Sequence, residues 1–503
     1  MTGLKETIAR IWASRTAAVY RRLDRNPGFY QQYWFKKIIR RAKNTAFGRD
    51  HGFKYIESYE DFKKNVPLAD YEAFRPYIER IIQGEKNVLW PGRPLYFAKT
   101  SGTTSGTKYI PISKASIPFH ISAARDMLLL YIYRSGNSAI LRGKMIFLQG
   151  SPKLDNAGGI PTGRLSGIAA HYVPGYLQSN RLPGWETNII EDWDTKVEKI
   201  IDETVGQPMT VFSGIPSWII HYFERVTERT GKTVGEVFPE FSLFISGGTA
   251  FEPYRAKFEK LVGRSVDLLE TYPASEGFIA FSDDYQRRDL RLLFNHGIFY
   301  EFVPSEQVFQ HNPERLTLDQ VETGRDYAVV LTTNAGLFAY LIGDTVRFTS
   351  TNPYRLEVTG RVKHFISAFG EHVIAKEIET AMTEALAGSD AEVAEFSVAP
   401  QVTPASGLPY HEWFVEFRRM PSSIEKFAGI IDESMQKQNI YYRDLIKGKI
   451  LRPAVITPVK KGAFNRYMAS VGRLGGQNKI PRLKNDRELA DFFEKNNEIP
   501  INP

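Results

Sequence analysis

The sequence predicts an α/β protein with a large N-terminal domain and a smaller C-terminal domain. Between residues 187 and 277, helical and strand patterns alternate, which is typical of a mostly parallel sheet covered by helices. Between 291 and 349 the pattern changes to consecutive strands, which predicts a distorted β-barrel or an antiparallel sheet. From about residue 360 two strands recur with one helix, as in an α+β domain. We therefore expect an N-terminal domain of residues 1–360 and a C-terminal lid domain of residues 361–503.

The composition narrows the class of protein. The 503 residues are 42% hydrophobic and 24% charged, as expected for a folded globular protein. The net charge of +8 is mild for this length; it suits anionic substrates such as nucleotides and does not by itself indicate nucleic acid. The absence of cysteine excludes disulfides, a thiolate nucleophile and cysteine-ligated zinc. The nine histidines lack HExxH spacing, which argues against a dedicated metal site.

The N-terminal segment, residues 1–25, has the pattern of a basic amphipathic helix. It contains neither a signal peptide nor a transmembrane span, so we expect a cytoplasmic protein. The helix could lie weakly on an anionic membrane, but we favour packing against its own domain.

Residues 1 to about 90 read mainly as helices, and a hydroxyl-rich stretch follows them. This stretch consists of Ser101, Gly102, Thr103, Thr104, Ser105 and Gly106, followed by Thr107 and Lys108. Glycine allows close approach of a ligand to the backbone, successive N–H groups can form an anion-binding nest, and the lysine adds a cation. The stretch therefore suits a polyphosphate.

The surrounding pattern predicts a loop between two strands. A Walker A loop needs Gly-Lys followed by Ser or Thr at the start of a helix, whereas here Thr107 precedes Lys108 and residues 109–112 read as strand. The alternative is an ordinary polar hairpin turn, because Gly, Ser and Thr are common in turns.

Polar or glycine-rich residues follow three strands of the predicted parallel sheet. They are Ser213-Gly214, Gly247-Gly248 and Ser275-Glu276-Gly277. Because ligands bind at the carboxyl edge of such sheets, this coincidence favours one shared site. Residues 151–185, rich in Gly, Pro and Asn, predict a long irregular segment that lines a substrate pocket.

An acid also interrupts an apolar run in the β-rich region. Asp344 and the preceding Gly343 follow the run 338–342. Asp344 is therefore either a turn residue or a ligand. Taken alone, Glu276 could likewise be an acid at a helix start, Tyr272 a core residue, and Lys479 part of a solvated glycine-rich tail.

The order of these motifs along the chain resembles that of a known protein superfamily. Residues 100–108, 272–277 and 340–344 stand in the order found in the adenylate-forming superfamily of acyl-CoA synthetases, luciferases and adenylation domains. The chain more closely resembles the auxin-responsive promoter (Gretchen Hagen three) family of acyl acid amido synthetases, because residues 294–304 and 475–482 also match. The resemblance covers nearly the whole chain.

The resemblance implies a ligase that activates a carboxylic acid with ATP and Mg²⁺ and then transfers the acyl group to an amine. It also implies a small C-terminal domain that swings between the two steps. Ser101, Gly102, Thr103, Thr104, Ser105, Gly106 and Lys108 would bind the phosphates. Tyr272 would lie against the adenine, with Ser275 in the same nucleotide site. Glu276 would help to hold Mg²⁺, which prefers carboxylate and phosphate oxygens, and Asp344 would accept the ribose hydroxyls. Lys479, and Lys363 at the domain boundary, would bring positive charge to the α-phosphate.

Three residues depart from the patterns that the resemblance implies. Leu341 stands where the plant motif has arginine, and Ala339 replaces another residue of the same motif. Thr107 stands where the broader superfamily has proline. These changes indicate either different phosphate contacts or a bacterial-type variant. They leave open which acyl acid is the substrate.

Three functions follow as hypotheses. The first is an acyl acid amido synthetase acting as a monomer on a small carboxylic acid and an amino acid, without nucleic acid. The second is a thioester-forming acyl-CoA ligase of the same fold. The third is a non-catalytic basic protein that binds a membrane or nucleic acid through its N-terminal helix.

Overall fold

The chain forms two compact units, described here from a computed structural model. One unit comprises residues 1–342 and 346–358, and the other comprises residues 343–345 and 359–503. The structure describes residues 2–101, 107–148, 151–172, 180–190, 192–248, 251–308, 310, 312–362, 365–366, 373–402, 404–449, 451–472, 480–484 and 486–500.

Helices of the larger unit cover both its N-terminal region and its sheet. They are α1 (Thr2–Leu23), α2 (Pro27–Ala42), α3 (Ala46–Asp50), α4 (Tyr59–Asn65), α5 (Tyr71–Ile82), α6 (Ile117–Ser135), α7 (Leu165–Ala170), α8 (Trp185–Asn188), α9 (Trp193–Thr204), α10 (Pro216–Thr230), α11 (Val234–Val237) and α12 (Arg255–Val262). Short 3-10 helices span Phe53–Tyr55, Ser138–Leu141, Glu252–Tyr254, Ser305–Gln307 and Leu318–Gln320. The predicted helical N-terminal region is confirmed.

Strands of this unit alternate with the helices and then follow one another directly; the last two also contain residues 343–345 and 359–361 of the smaller unit. They are β1 (Tyr96–Ser101), β2 (Thr107–Ile112), β3 (Lys144–Leu148), β4 (Asp155–Ala157), β5 (Ile160–Gly163), β6 (Arg181–Leu182), β7 (Met209–Gly214), β8 (Leu243–Gly247), β9 (Asp267–Ala274), β10 (Gly277–Phe281), β11 (Leu290–Leu292), β12 (Ile298–Pro304), β13 (Asp326–Thr333), β14 (Tyr340–Thr351) and β15 (Tyr354–Arg361). The expectation of a long irregular segment at 151–185 is wrong in part, since β4, β5, α7 and β6 lie within it.

Within the described residues, the largest sheet has eleven strands in the order β12-β13-β14-β15-β11-β10-β9-β8-β7-β3-β6. Strands β6, β3, β7, β8 and β9 pair in parallel. The turn from β9 to β10 reverses the direction, and β10–β11, β11–β15 and β12–β13 pair antiparallel. The predicted parallel sheet is thus confirmed, and the later consecutive strands extend the same sheet.

Alternate residues of the parallel strands enter two separate cores, because successive side chains of a strand point to opposite faces. On one face Met145, Val211 and Leu243 pack with α6. On the other, Phe212 and Phe244 pack with apolar side chains of α9, α10 and α12. Helices therefore cover both faces of the sheet, as the near-continuous apolar strands require.

Helix α1 packs on α6 through small residues. Ala9, Ala13 and Ala17 recur every fourth position, so they lie on one face, and all three are buried together with Tyr20. The carboxylate of Glu6 on the same face accepts hydrogen bonds from Arg142 Nε at 2.6 Å and Nη2 at 3.0 Å. This ion pair lowers the pKa of Glu6. Packing against its own domain, the interpretation favoured for this helix, is confirmed.

The smaller unit has a sheet with helices on both faces. Its elements are β16 (Phe365–Ile366), β17 (Val373–Ile374), α13 (Ala375–Ala387), β18 (Glu392–Gln401), β19 (Tyr410–Arg419), α14 (Ile424–Gln438), α15 (Ile440–Lys447), β20 (Val455–Val459), α16 (Ala463–Ser470) and α17 (Glu488–Lys495). Trp413 of β19 packs with α13 and α14, and the adjacent Phe414 packs with α16 and α17. The predicted α+β unit is confirmed. Among the helices described, none is long and apolar enough to cross a membrane.

Candidate functional site

The hydroxyl-rich stretch lies between two paired strands. Strands β1 and β2 are antiparallel, with Thr100 opposite Lys108 and Ser101 opposite Thr107. The prediction of a strand on each side of this stretch is confirmed. Five of the predicted phosphate-binding residues lie outside the described residues; they are Gly102, Thr103, Thr104, Ser105 and Gly106. Ser101 lies at the end of β1, directly before them.

The base of this hairpin is anchored in the larger unit. Phe97 and Ile110 are completely buried, and β1 also pairs in parallel with β5. Lys99 forms an ion pair with Asp155 of β4. Because both strands are fixed by burial and pairing, the position of the loop ends is set by the core and not by the loop itself.

Lys108 lies on β2, one residue beyond the loop end. Its Nζ is 5.5 Å from the centroid of the Tyr71 ring, within the range of a cation–π contact. The hydroxyl of Tyr71 accepts a hydrogen bond from the N–H of Tyr109 at 2.9 Å. Tyr71 is the first residue of α5, and the side chain of Asp70 caps that helix. The N-terminus of α5 thus holds the strand on which Lys108 stands.

The carboxyl ends of β7, β8 and β9 meet at one edge of the sheet. Their register places Gly214 opposite Ser246, and Gly247 opposite Thr271. The predicted convergence of these strand ends is confirmed. A Cβ atom added to Gly247 would lie 2.5 Å from Thr271 Oγ1, which is closer than van der Waals contact, so the edge requires glycine there.

Sequence reasoning did not single out Ser246 at this edge. Its side chain is completely buried, and its Oγ has no hydrogen-bond partner among the described residues. A serine within the motif Ile-Ser-Gly-Gly was the available signal, but its burial depends on the neighbouring strands.

Tyr272 lies near the carboxyl end of β9, and Ser275 and Glu276 follow directly after it. Strand β9 extends three residues beyond the end of β8, so the ring of Tyr272 is largely buried while Ser275 and Glu276 form a half-buried turn. Ala274 pairs with Gly277 across this turn. The alternative in which Glu276 is an acid at a helix start is wrong, because β10 follows it.

Asp344 is half-buried and lies inside β14. The preceding Gly343 has a φ of 87°, a conformation that favours glycine, and its carbonyl accepts a hydrogen bond from Val362 N–H at 2.6 Å. Thr359 Oγ1 donates to Thr345 Oγ1 at 3.0 Å. Asp344 is therefore a strand residue and not the turn residue of the alternative interpretation. It belongs to the smaller compact unit.

Lys363 and Lys479, the two predicted lysines, lie outside the described residues. The segment that follows Lys479 is held along β18. The N–H of Val398 donates to the carbonyl of Arg482 at 2.9 Å, and the N–H of Lys484 donates to the carbonyl of Val398 at 2.9 Å. The guanidinium of Arg482 pairs with Glu395. The glycine-rich tail thus ends in a segment anchored on the smaller unit.

Sequence reasoning did not single out two histidines of the larger unit, the buried His120 and the half-buried His296, as candidate site residues. Burial lowers the pKa of both His120, on α6, and His296 to about 4, so both imidazoles are neutral at pH 7. Neither Nδ1 atom has a hydrogen-bond partner among the described residues. The ring of Phe119 lies 5.8 Å from that of His296. A histidine in an apolar helix is common in protein cores, so the sequence offered no distinguishing signal for His120. His296 lies in the matched motif 294–304, which was the available signal.

Comparison with known proteins places these features in one family. Sequence profiles of the GH3 family match three parts of the chain: the N-terminal domain at residues 17–196, the central domain at 291–361 and the C-terminal domain at 376–488. Together the three profiles cover more than half of the chain.

Curated relatives match along nearly their whole length. An indole-3-acetic acid-amido synthetase, GH3.3 of Arabidopsis thaliana, is 22% identical over 94% of this chain and 92% of its own. A jasmonoyl–L-amino acid synthetase, GH3.5 of Oryza sativa subsp. japonica, is 22% identical over 92% of this chain and 93% of its own.

Solved structures share the fold. The GH3.15 acyl acid amido synthetase superposes with a TM-score of 0.78 at 19% identity, covering 95% of both chains. A 2-hydroxyisobutyryl-CoA ligase in the postadenylation state has a TM-score of 0.59 at 15% identity, covering 93% of this chain and 90% of its own. The chain therefore belongs to the GH3 family.

Proposed function

We propose that this protein is an ATP-dependent acyl acid amido synthetase. A carboxylate oxygen of the acid attacks the α-phosphorus of ATP, which forms an acyl-adenylate and releases pyrophosphate. The nitrogen of an amine, most simply an amino acid, then attacks the acyl carbon. An amide forms, AMP leaves with the bonding electrons, and the nitrogen loses a proton.

The observation that carries this proposal is the placement of the three motifs on the fold. The first lies between β1 and β2, the second forms the turn after β9, and the third lies in β14 after a glycine with positive φ. Each motif adjoins or interrupts a well-buried strand, which fixes the described backbone on either side of it. Membership of a family whose named relatives are amido synthetases supports the same function.

Specific roles for the motif residues belong to the proposal. The loop from Ser101 to Gly106 and Lys108 bind the phosphates of ATP, because N–H and hydroxyl donors with one cation suit a polyphosphate. Tyr272 and Ser275 contact the nucleoside, with the tyrosine ring against the adenine. Asp344 accepts hydrogen bonds from the ribose hydroxyls. Attack of one anion on another needs charge neutralisation, so this site works by positioning and electrostatics.

Glu276 is the proposed protein ligand of Mg²⁺. Within the described residues, no group of three or more His, Asp or Glu side chains lies close enough to hold a metal alone. Mg²⁺ commonly takes one or two carboxylates and completes its shell with water and substrate phosphates, so a single half-buried carboxylate fits this ion. When bound, Mg²⁺ would neutralise charge on the phosphates.

The smaller unit is the proposed lid. A boundary near residue 360, with domains at 1–360 and 361–503, is supported by the division of the chain into compact units at residues 358 and 359. In this proposal Lys479 and Lys363 bring positive charge to the α-phosphate. The pairing of residues 482–484 with β18 supports the assignment of Lys479 to the lid.

The substrates in this proposal are small molecules. The acid enters a pocket lined by apolar and aromatic side chains from residues 120 to 220, and the acceptor is an amino acid. We place the reaction in the cytoplasm and expect the protein to act as a monomer without nucleic acid.

Adenylation is tested by pyrophosphate release with ATP, Mg²⁺ and a panel of carboxylic acids, with hydroxylamine added to trap the activated acyl group. Hydroxamate formation that depends on both ATP and the acid is the expected result. A protein that binds neither ATP nor any acid, although it is folded by circular dichroism, would overturn the proposal.

The acceptor is tested separately, because a CoA ligase shares this fold. Using an acid that gives hydroxamate, we expect AMP release to rise with an amino acid and an amide to appear by mass spectrometry. AMP release that rises only with coenzyme A, together with a thioester product, would favour the thioester-forming alternative.

A further inference from the structure

Helix α1 has a second face, opposite the one that packs on α6, and that face is apolar and exposed. It carries Leu4, Ile8, Ile11, Trp12 and Val19, each between 48 and 67% exposed. Spacings of three and four residues place these side chains in one stripe, about half a turn from Ala9, Ala13 and Ala17. The helix thus buries its alanines together with Tyr20 and Leu23, and exposes five other large apolar side chains, which we call the outer stripe.

Basic residues lie within and beside the outer stripe. The spacing places Arg15 and Arg22 in the stripe itself and Lys5 beside it. Arg10 and Arg21 border the face that packs on α6, where they donate hydrogen bonds to the hydroxyls of Ser138 and Tyr133. The helix has one acidic residue, Glu6, which is on the buried face and paired with Arg142. No exposed carboxylate therefore interrupts the outer stripe within residues 3–23.

Exposed apolar and basic side chains continue into α2. Phe29 and Tyr33 are exposed there. The exposed basic residues of this region are Lys36, Lys37, Arg40, Arg41 and Lys43. The first 45 residues contain eleven lysines and arginines and two acids, a formal charge of +9. Since the whole chain carries +8, its excess positive charge is confined to this N-terminal region.

Of the surfaces that could cover the outer stripe, one matches both its apolar and its basic character. A nucleic acid backbone satisfies the charge but leaves exposed isoleucine and tryptophan without an apolar partner. A second copy of the stripe satisfies the apolar side chains but brings two strongly positive surfaces together. A membrane with anionic lipids takes up apolar side chains at the acyl boundary and attracts lysine and arginine at its headgroups.

We propose that α1 docks this protein on an anionic phospholipid surface, with the outer stripe buried at the headgroup–acyl boundary and the arginines among the headgroups. The helix lies in the plane of the interface and does not cross it, in keeping with its low apolar content. The binding is reversible, because one helix face and a few basic residues supply it.

The apolar part of the proposal is tested by sedimentation of the full-length protein with vesicles of phosphatidylcholine, alone or mixed with phosphatidylglycerol. We expect binding to the mixed vesicles that weakens as salt rises. The double variant Ile8→Gln/Trp12→Gln should lower the partition coefficient at least about ten-fold, since it removes two large apolar anchors. The matched control is Tyr55→Gln/Val402→Gln, which removes two other exposed apolar side chains.

The electrostatic part is tested by Arg15→Glu/Arg22→Glu against Lys260→Glu/Lys437→Glu. Both variants change the net charge equally at exposed helical positions, but only the first changes the outer stripe. We expect the first to lose at least about ten-fold in binding, because each basic residue near an anionic surface is worth roughly five-fold. The second should bind nearly as the parent does.

Several results would overturn the proposal. They are equal binding to neutral and mixed vesicles, no vesicle binding, or undiminished binding by Ile8→Gln/Trp12→Gln with unchanged circular dichroism. Duplex DNA binding that survives Ile8→Gln/Trp12→Gln but not Arg15→Glu/Arg22→Glu, without vesicle binding, would assign the surface to nucleic acid. A dimer in light scattering that Ile8→Gln/Trp12→Gln converts to a monomer would assign it to a second copy.

Discussion

Two acidic side chains that are close in sequence, Glu276 and Asp283, lie in different environments. Glu276 is half-buried in the turn after β9. Asp283, beyond the end of β10, is almost completely buried and accepts hydrogen bonds from Arg291 Nη1 at 3.1 Å and Arg355 Nη2 at 2.5 Å. Glu276, which is partly accessible, belongs to the proposed site, whereas the charge of the buried Asp283 is balanced by two arginines.

Asp283 belongs to a network of charges between β11 and β15. Arg355 also donates to Asp289 at 3.1 Å, and Arg291 also pairs with Asp24. Burial of charge is unfavourable unless partners are present, and here every carboxylate of the network contacts at least one arginine. Burial, and not residue type, therefore separates the carboxylates that stabilise the fold from the carboxylate in the proposed site.

The largest effect is expected for Asp283→Ala. Two arginines would each lose a buried partner, so we expect the free energy of unfolding to fall by about 3 kcal/mol or more. Urea titration followed by circular dichroism measures this. The adjacent Asp284→Ala is the control and should cost less than about 1 kcal/mol, since among the described residues its carboxylate accepts a local hydrogen bond from Gln286 N–H and no buried arginine donates to it. Equal losses in the two variants would break the comparison.

Next in size is Glu276→Ala, which should act on catalysis alone. We expect acid-dependent pyrophosphate release to fall about 10²–10³-fold, the range for loss of one electrostatic contact in a transition state. The midpoint of thermal unfolding should stay within a few degrees of the parent. The exposed Glu259→Ala is the control, with unchanged activity expected. Normal pyrophosphate release by Glu276→Ala would remove this residue from the site.

A smaller effect concerns pH and Asp289. Burial alone raises the pKa of this carboxyl, but hydrogen bonds from Arg287 and Thr349 and the charge of Arg355 outweigh it and lower the pKa to about 2. Because the folded pKa lies below the ordinary value, Asp289 stabilises the fold above about pH 4 and loses this contribution as pH falls towards 2. The contribution is about 2 kcal/mol.

Asp289→Asn measures that contribution. The difference in unfolding free energy between the parent and this variant should be largest near neutral pH and shrink by about 2 kcal/mol as the pH falls through the window from 4 to 2. A difference that is constant with pH would show that charge at Asp289 does not contribute.

The smallest effect is expected for Glu306→Gln. Glu306 pairs with Arg325 at 2.6 Å, but both side chains are exposed. Solvent screens such a pair, so the loss should be below about 1 kcal/mol and should vanish in high salt. A loss as large as that of Asp283→Ala would show that geometry outweighs burial in this protein.

The sequence allowed much of the fold to be predicted. Alternating patterns predicted the parallel strands that end at Gly214 and Gly247, and the recurrence of two strands with one helix predicted the α+β unit after residue 360. These features depend on local periodicity, which a single sequence contains. The parallel pairing of β1 with β5 joins distant segments, and no local pattern indicates it.

The environment of the candidate site residues was harder to predict from the sequence. The hydroxyl-rich loop and Asp344 were found because their composition departs from the apolar runs around them. Whether Asp344 lies in a turn or a strand depends on Val362, which pairs with the preceding glycine. The buried state of Asp283, His120 and Ser246 depends on elements far away in the chain, so charge and polarity alone could not predict it.

The alanine face of α1 has a consequence for motion. Besides Tyr20 and Leu23, α1 buries three alanine methyl groups that contribute about 2–3 kcal/mol, less than the isoleucine, tyrosine and phenylalanine side chains that α10 buries. Local opening of α1 therefore requires less free energy than opening of α10 or the sheet. Backbone amides of α1 should exchange with deuterium well before those of α6 beneath it. The protein thus carries a helix that is attached largely through small side chains where its positive charge is concentrated, so contact with another surface can alter that helix while the sheet stays intact.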